Sequence, residues 1–197
     1  SVTGSYPTTL VGSDQDKCWG YAGTHTYRTD ITAAISGNGN YVISGLPTNP
    51  PTSGEDTDGA TMMVIWSDIT ASFQGDVVIW DGALVYNGGL SNRQITGFTN
   101  TCANSLSARA FMCVGDLQQL GANLIVNGSP SFTINEDWWN YIDQPTTVTL
   151  GQNTATYEVS SSGDCFNMCM MGLYYRTSCS TCCIAPFALS SSSTVSS

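Results

Sequence analysis

"CFNMCMMGLYYRTSCSTCC" (165–183) places five of the chain's eight cysteines within nineteen residues, spaced C-x3-C and then C-x2-C-C. A structural zinc site is written as two separated Cys or Cys/His pairs. Here the only histidine, His25, is far away in sequence. Cys182 and Cys183 are adjacent and would point to opposite faces of a strand, which makes them poor joint ligands for one ion. "CSTC" has the spacing of a redox motif but lacks its βαβ context. The remaining cysteines, Cys18, Cys102 and Cys113, are scattered. The reading is therefore disulfides: Cys18, Cys102, Cys113, Cys165, Cys169, Cys179, Cys182 and Cys183 staple the domain, with connectivity open. That implies an oxidising compartment, extracellular or at the cell surface. Between the cysteines, "MMGLYYRT" (170–177) has the β-branched and aromatic character of a core strand.

The same signature recurs outward from this stretch. "NYVISGLP" (40–47), "TMMVIWSD" (61–68), "GDVVIWDG" (75–82), "ARAFMCVG" (108–115), "ANLIVNG" (122–128), "TTVTL" (146–150) and "TATYEVSS" (154–161) are short apolar runs divided by Gly, Asn, Asp or Ser. This spacing predicts an all-β, antiparallel, disulfide-stabilised β-sandwich. "DITAAIS" (30–36) predicts a short helical turn capped by Asp30, and "EDWWNYI" (136–142) a second. "SGNGN" (36–40) and "NGG" (87–89) predict turns with positive φ. The organisation expected is an extended arm over 1–12, a sandwich over 13–184 and a Ser-rich tail over 185–197. The chain opens at "SVTGSYPTT" without an initiator Met, which reads as mature protein after signal removal.

The net charge is −10, with five Lys+Arg against fifteen Asp+Glu, in a chain that is 41% hydrophobic. That balance gives no electrostatic footprint for nucleic acid or anionic lipid. No stretch is long and apolar enough for a helical membrane span, so no membrane insertion is expected.

Six segments, "YRTDITAAISGNGNYVISGLP" (27–47), "DTDGATMMVIW" (56–66), "VVIWDGALVYNG" (77–88), "VGDLQQ" (114–119), "LIVNG" (124–128) and "DCFNMCMMGLYYRT" (164–177), together resemble a family of secreted prokaryotic β-sandwich surface domains of unknown function. The resemblance spans about three-quarters of the chain. It implies a jelly-roll-like sandwich and export. "VGDLQQ" departs from the family's Gly-Asp-Gly-Gln form, and the cysteines after Arg176 have no counterpart there. The family carries no established catalytic residues, so none are transferred.

The chemistry-bearing residues suggest few options. Glu55, Asp56 and Asp58 in "GEDTDG", and Asp14 and Asp16, read first as solvated acidic loops that need no cofactor, and second as hard oxygen ligands of the kind calcium takes. Trp138, Trp139 and Tyr141 are candidate sugar-stacking residues. His25 lacks a nucleophile-elbow partner, and no carboxylate pair shows glycosidase spacing, so no enzyme is expected. Lys17, the only lysine, raises a Lys–Asn cross-link, and Asn127-Gly128-Ser129 reads as a turn before a glycan site. Two functions remain. The first is a structural subunit of an extracellular filament or surface assembly, self-associating head-to-tail by strand exchange, with the N-terminal arm (Val2, Tyr6, Leu10, Val11) as donor and 184–190 second. The alternative is a monomeric secreted carbohydrate- or calcium-dependent binding module with a glycan ligand.

Overall fold

The computed structural model describes residues 4–47, 56–70, 75–102, 106–117, 123–128, 132–133, 137–160 and 164–177. The chain forms an antiparallel β-sandwich of jelly-roll type with an added N-terminal hairpin. In order, the strands are β1 (Thr9–Asp14), β2 (Thr24–Arg28), β3 (Gly75–Asn87), β4 (Leu90–Ile95), β5 (Leu106–Leu117), β6 (Asn123–Val126), β7 (Phe132–Thr133), β8 (Asp137–Val148), β9 (Ala155–Ser160) and β10 (Cys165–Arg176). One sheet is ordered β3-β10-β5-β8 and the other β4-β9-β6-β7; β1 and β2 pair separately.

The core lies between the two four-stranded sheets. Alternation along β5 sends Ala108, Ala110, Met112 and Val114 inward, where they meet Leu173 of β10 and Ile142 of β8. The facing sheet contributes Ile95, Leu124, Val126, Tyr157 and Val159. Tyr157 is fully buried, and its hydroxyl donates to the carbonyl of Gly172 across the core at 2.6 Å. This satisfies a phenol that would otherwise cost free energy to bury. One disulfide, Cys18–Cys165, ties the segment after β1 to the start of β10, across a sequence separation of 147 and at a Cα separation of 6.1 Å.

Of the segment 136–142, expected to be helical, residues 137–142 are described and belong to strand β8. From Asn140 to Val148 every second residue is buried, a period of two that places a half-polar strand on the sheet edge. The aromatic residues there pack on a pleated surface rather than a helix face. Residues 40–47 and 61–68, expected as strands, belong to no ladder. They run exposed, with Val42 at 88% and Ile69 just beyond the second run at 91% exposure. Strand propensity is realised only against cross-strand neighbours, and neither run has them within the described residues.

The expected turn at 30–36 is a 3-10 turn over Thr32–Ala34, with Asp30 accepting the Thr32 N–H at 2.8 Å. Asn127 and Gly128 both have positive φ, as the turn reading requires. The Asn127 side-chain oxygen accepts the Thr156 N–H at 2.9 Å. The second half of the expected arm is β1: Leu10 pairs with Tyr27, and Val11 sits at the register shift that follows. Tyr6 precedes the strand; Val2 and the tail lie outside the described residues.

Candidate functional site

The outer face of the β3-β10-β5-β8 sheet carries the chemistry. Its register sets Val77, Tyr174, Arg109 and Pro145 in one row, then Ile79, Gly172, Phe111 and Asp143, then Asp81, Met170, Cys113 and Tyr141. Arg109 Nε donates to Asp143 Oδ1 at 2.8 Å and Nη2 to Oδ2 at 2.7 Å, a bidentate pair. The pair is partly open, with side chains 28% and 11% exposed. Tyr174 directly opposes Arg109 on β10, and Tyr141 lies two residues before Asp143 on β8. Burial and the Asp143 carboxylate push the Tyr141 hydroxyl well above its ordinary pKa, so it stays a neutral donor.

The two ends of this face are covered. At the β3 side, the hairpin is held by Arg28–Asp81 at 2.8 Å. It is also held by Asp14, whose Oδ2 accepts the Val85 N–H at 2.8 Å, and by Lys17, whose Nζ donates to the Val85 carbonyl at 2.7 Å. Lys17 is also paired with Asp14 at 3.0 Å, so its ammonium bridges oxygens on both sides of the hairpin–β3 junction. Hydrogen bonds, led by the Val85 N–H, hold the Asp14 carboxyl below its usual range. Asp16 accepts the backbone N–H groups of Cys18 and Trp19, which likewise lowers its pKa. Asp14 and Asp16 are thus turn-forming groups. His25 sits in β2 with Nδ1 at 2.9 Å from Ser13 Oγ.

At the β8 end, residues 58–61 lie over the sheet. Trp139 Nε1 donates to Thr61 Oγ1 at 2.8 Å, and its ring occupies the space beside Gly59. Asp58 fills the space over Gly115. Burial pushes the Asp58 carboxyl up to about 6, with Asp56 adding repulsion. Asp116 is pushed up to about 7 by burial and by Asp58, Asp164 and Asp56. The Asp58 carboxylate repels that of Asp116, but among the described residues no three His, Cys, Asp or Glu side chains gather as a metal site; Glu55 lies outside them.

The aromatic trio does not act as one surface. Trp139 and Tyr141 share the outer face, whereas Trp138, 58% exposed, has the opposite parity on β8. Sequence reading missed Arg109 and Tyr174, because only the strand register brings Arg109 and Asp143 together.

The cysteines divide. Cys18 and Cys165 are bridged, and Cys102 is disulfide-bonded. Cys113 and Cys169 are free and buried, which corrects the all-disulfide reading. Cys113 sits within the β5–β10 ladder, where Thr61 Oγ1 lies 3.4 Å from its sulfur. Cys169 falls at the irregularity between Met168 and Met170, its sulfur accepting from Asn167 Nδ2 at 3.3 Å. Burial pushes the two thiols up to about 11 and about 12. Cys179, Cys182 and Cys183 lie outside the described residues.

No family model and no curated protein matches the chain. Solved structures do show likeness. A family 35 carbohydrate binding module from Clostridium thermocellum is 14% identical over 50% of this chain and 97% of its own, with a TM-score of 0.34. The CBM35 of Cellvibrio japonicus Abf62 is 11% identical over 50% of this chain and 99% of its own, with a TM-score of 0.30. Dimeric latent PorU from Porphyromonas gingivalis is 13% identical over 57% of this chain and 14% of its own, with a TM-score of 0.32. Likeness of this size assigns no family, neither those named nor the secreted surface domains that the sequence resembles.

Proposed function

We propose that this chain is a non-catalytic extracellular recognition module that binds a neutral oligosaccharide on the outer face of the β3-β10-β5-β8 sheet. The observation that carries the reading is the bidentate Arg109–Asp143 pair, partly open and bordered by Tyr141 and Tyr174. A fixed guanidinium and carboxylate supply oriented donors and acceptors for sugar hydroxyls, and tyrosine rings supply apolar faces for the sugar's C–H groups. The net charge of −10 disfavours acidic glycans. Both free thiols are buried in their neutral form, so neither serves as an activated nucleophile. Extracellular placement is supported by the Cys18–Cys165 bridge. The test is a glycan array with neutral and acidic members, read with and without a chelator, against Tyr174→Ala and Asp143→Asn. The reading requires neutral glycans to be retained by the parent chain and lost by the variants; a change on chelation reports calcium dependence.

A second reading, an extracellular assembly joined by strand addition, is favoured by a different observation. Residues 40–47 and 61–69 are apolar, exposed and outside every ladder. Concentration-dependent sedimentation tests it: growth into oligomers supports assembly, and a constant monomer opposes it.

A further inference from the structure

We propose that residues 61–69 of one copy add as a strand to the edge of β3 in a second copy. The inference rests on the assembly reading and names its two halves. The donor run "TMMVIWSDI" carries one charge, Asp68, and exposes Val64 at 40%, Ile65 at 63% and Ile69 at 91%. Such a run on a folded domain's surface marks an interaction segment.

Among the described residues, the least protected edge for it is the first half of β3. β3 and β8 are the end strands of the larger sheet. Pro145 within β8 lacks an N–H, a device that blunts an edge. In the other sheet, end strand β7 is two residues long, and β4 places Arg93 in its middle. β3 has neither proline nor a basic residue over thirteen residues, and Asp76, the one charge in its first half, is approached by the Tyr175 hydroxyl at 3.5 Å. Its second half is already occupied: Asp14 and Lys17 take the Val85 backbone groups, and Arg28 holds Asp81. Among the described residues, its first half, Gly75–Trp80, has β10 on one side and no strand on the other.

The second copy is the occupant that the sequence itself suggests. "MVIW" (63–66) repeats the apolar pattern of "VVIW" (77–80) in the strand it would join. The donor brings one charge, Asp68, to the contact, so it adds little to the repulsion that two chains of net charge −10 already exert. Joining an existing four-stranded sheet is also more stable than pairing two isolated runs. Donor and acceptor differ, so the contact is heterologous and propagates rather than closing.

The test uses the full chain, its Ile65→Pro variant, and a synthetic peptide of sequence 61–69, followed by sedimentation velocity and negative-stain imaging. The parent should form oligomers that grow with concentration. Excess peptide should return them to monomer. Ile65→Pro should raise the midpoint concentration at least roughly tenfold, with an unchanged far-ultraviolet spectrum, because proline removes a ladder donor from a run outside the sandwich. Undiminished assembly by Ile65→Pro, or failure of the peptide to compete, overturns the strand assignment while leaving assembly standing. A parent that stays monomeric at every concentration overturns both. Hydrogen exchange then shows whether 61–69 is protected within its own chain, the result expected if it folds back on β3.

Discussion

Phe111 on β5 occupies the space where Gly172, its direct partner on β10, would carry a side chain: a Cβ built on Gly172 overlaps the Phe111 ring. Gly172 has no Cβ, so an aromatic ring can cross the sheet on the outer face while the Gly172 carbonyl takes the Tyr157 hydroxyl from the core side. Gly172→Ala should therefore destabilise the fold by about 1–3 kcal/mol through overpacking. Urea denaturation of Gly172→Ala, Phe111→Leu and the double variant checks this. The double variant should recover part of the loss; strictly additive losses would mean the two sites are not coupled.

Asp58 and Asp116 give the fold a distinctive pH dependence. Their carboxyls are pushed up to about 6 and about 7 in the folded state, from an ordinary value of 3.8. The folded state therefore binds protons more tightly than the unfolded chain. This contribution is fully present below about pH 4 and is lost as pH rises through about 6 to 7. Asp14 and Asp16, whose pKa values are lowered, act oppositely: their contribution is gained as pH rises toward 3.8 and above. Melting temperature should fall between pH 5 and 7.5, and Asp58→Asn should flatten that slope. A parent whose stability rises over that interval contradicts the assignment.

The thiols of Cys113 and Cys169 should be silent in the folded protein. Buried and with pKa values near 11 and 12, they present almost no thiolate at pH 8. Iodoacetamide treatment followed by peptide mapping should leave both unmodified under native conditions and alkylate both after unfolding. Labelling of either in the folded state would contradict their burial.

The Cys18–Cys165 bridge closes a loop of 147 residues. Replacing both with serine should cost on the order of 4 kcal/mol, largely by freeing the unfolded chain. Chemical denaturation without reductant measures it; an unchanged midpoint would show that the bridge adds no stability.

Much of the sandwich is legible in the sequence because β3, β5, β6, β9 and β10 are apolar runs bounded by turn residues, and each forms a strand where its pattern predicts one. Three departures share one cause. "NYVISGLP" and "TMMVIWSD" have the propensity of strands but find no ladder partner, and propensity alone does not hold a strand. "EDWWNYI" has helix-like local composition, yet the register with β5 makes it a strand. Pairing is a long-range property that a local pattern does not encode. The candidate site was hidden for the same reason. Arg109 and Asp143 are 34 residues apart and meet only through the β5–β8 register. Cys113 and Cys169 looked like disulfide cysteines because an even count and a cysteine-rich end imply bridges, whereas their strand positions bury them unpaired.

Calorimetric titration of the intact chain with neutral oligosaccharides, chosen from array hits, tests the central claim most directly. The parent should bind at least one such glycan, and Tyr174→Ala and Asp143→Asn should each abolish the heat of binding while the far-ultraviolet spectrum shows the sandwich still folded. Absence of binding to any neutral glycan, or binding that both substitutions leave untouched, would contradict a carbohydrate site on this face.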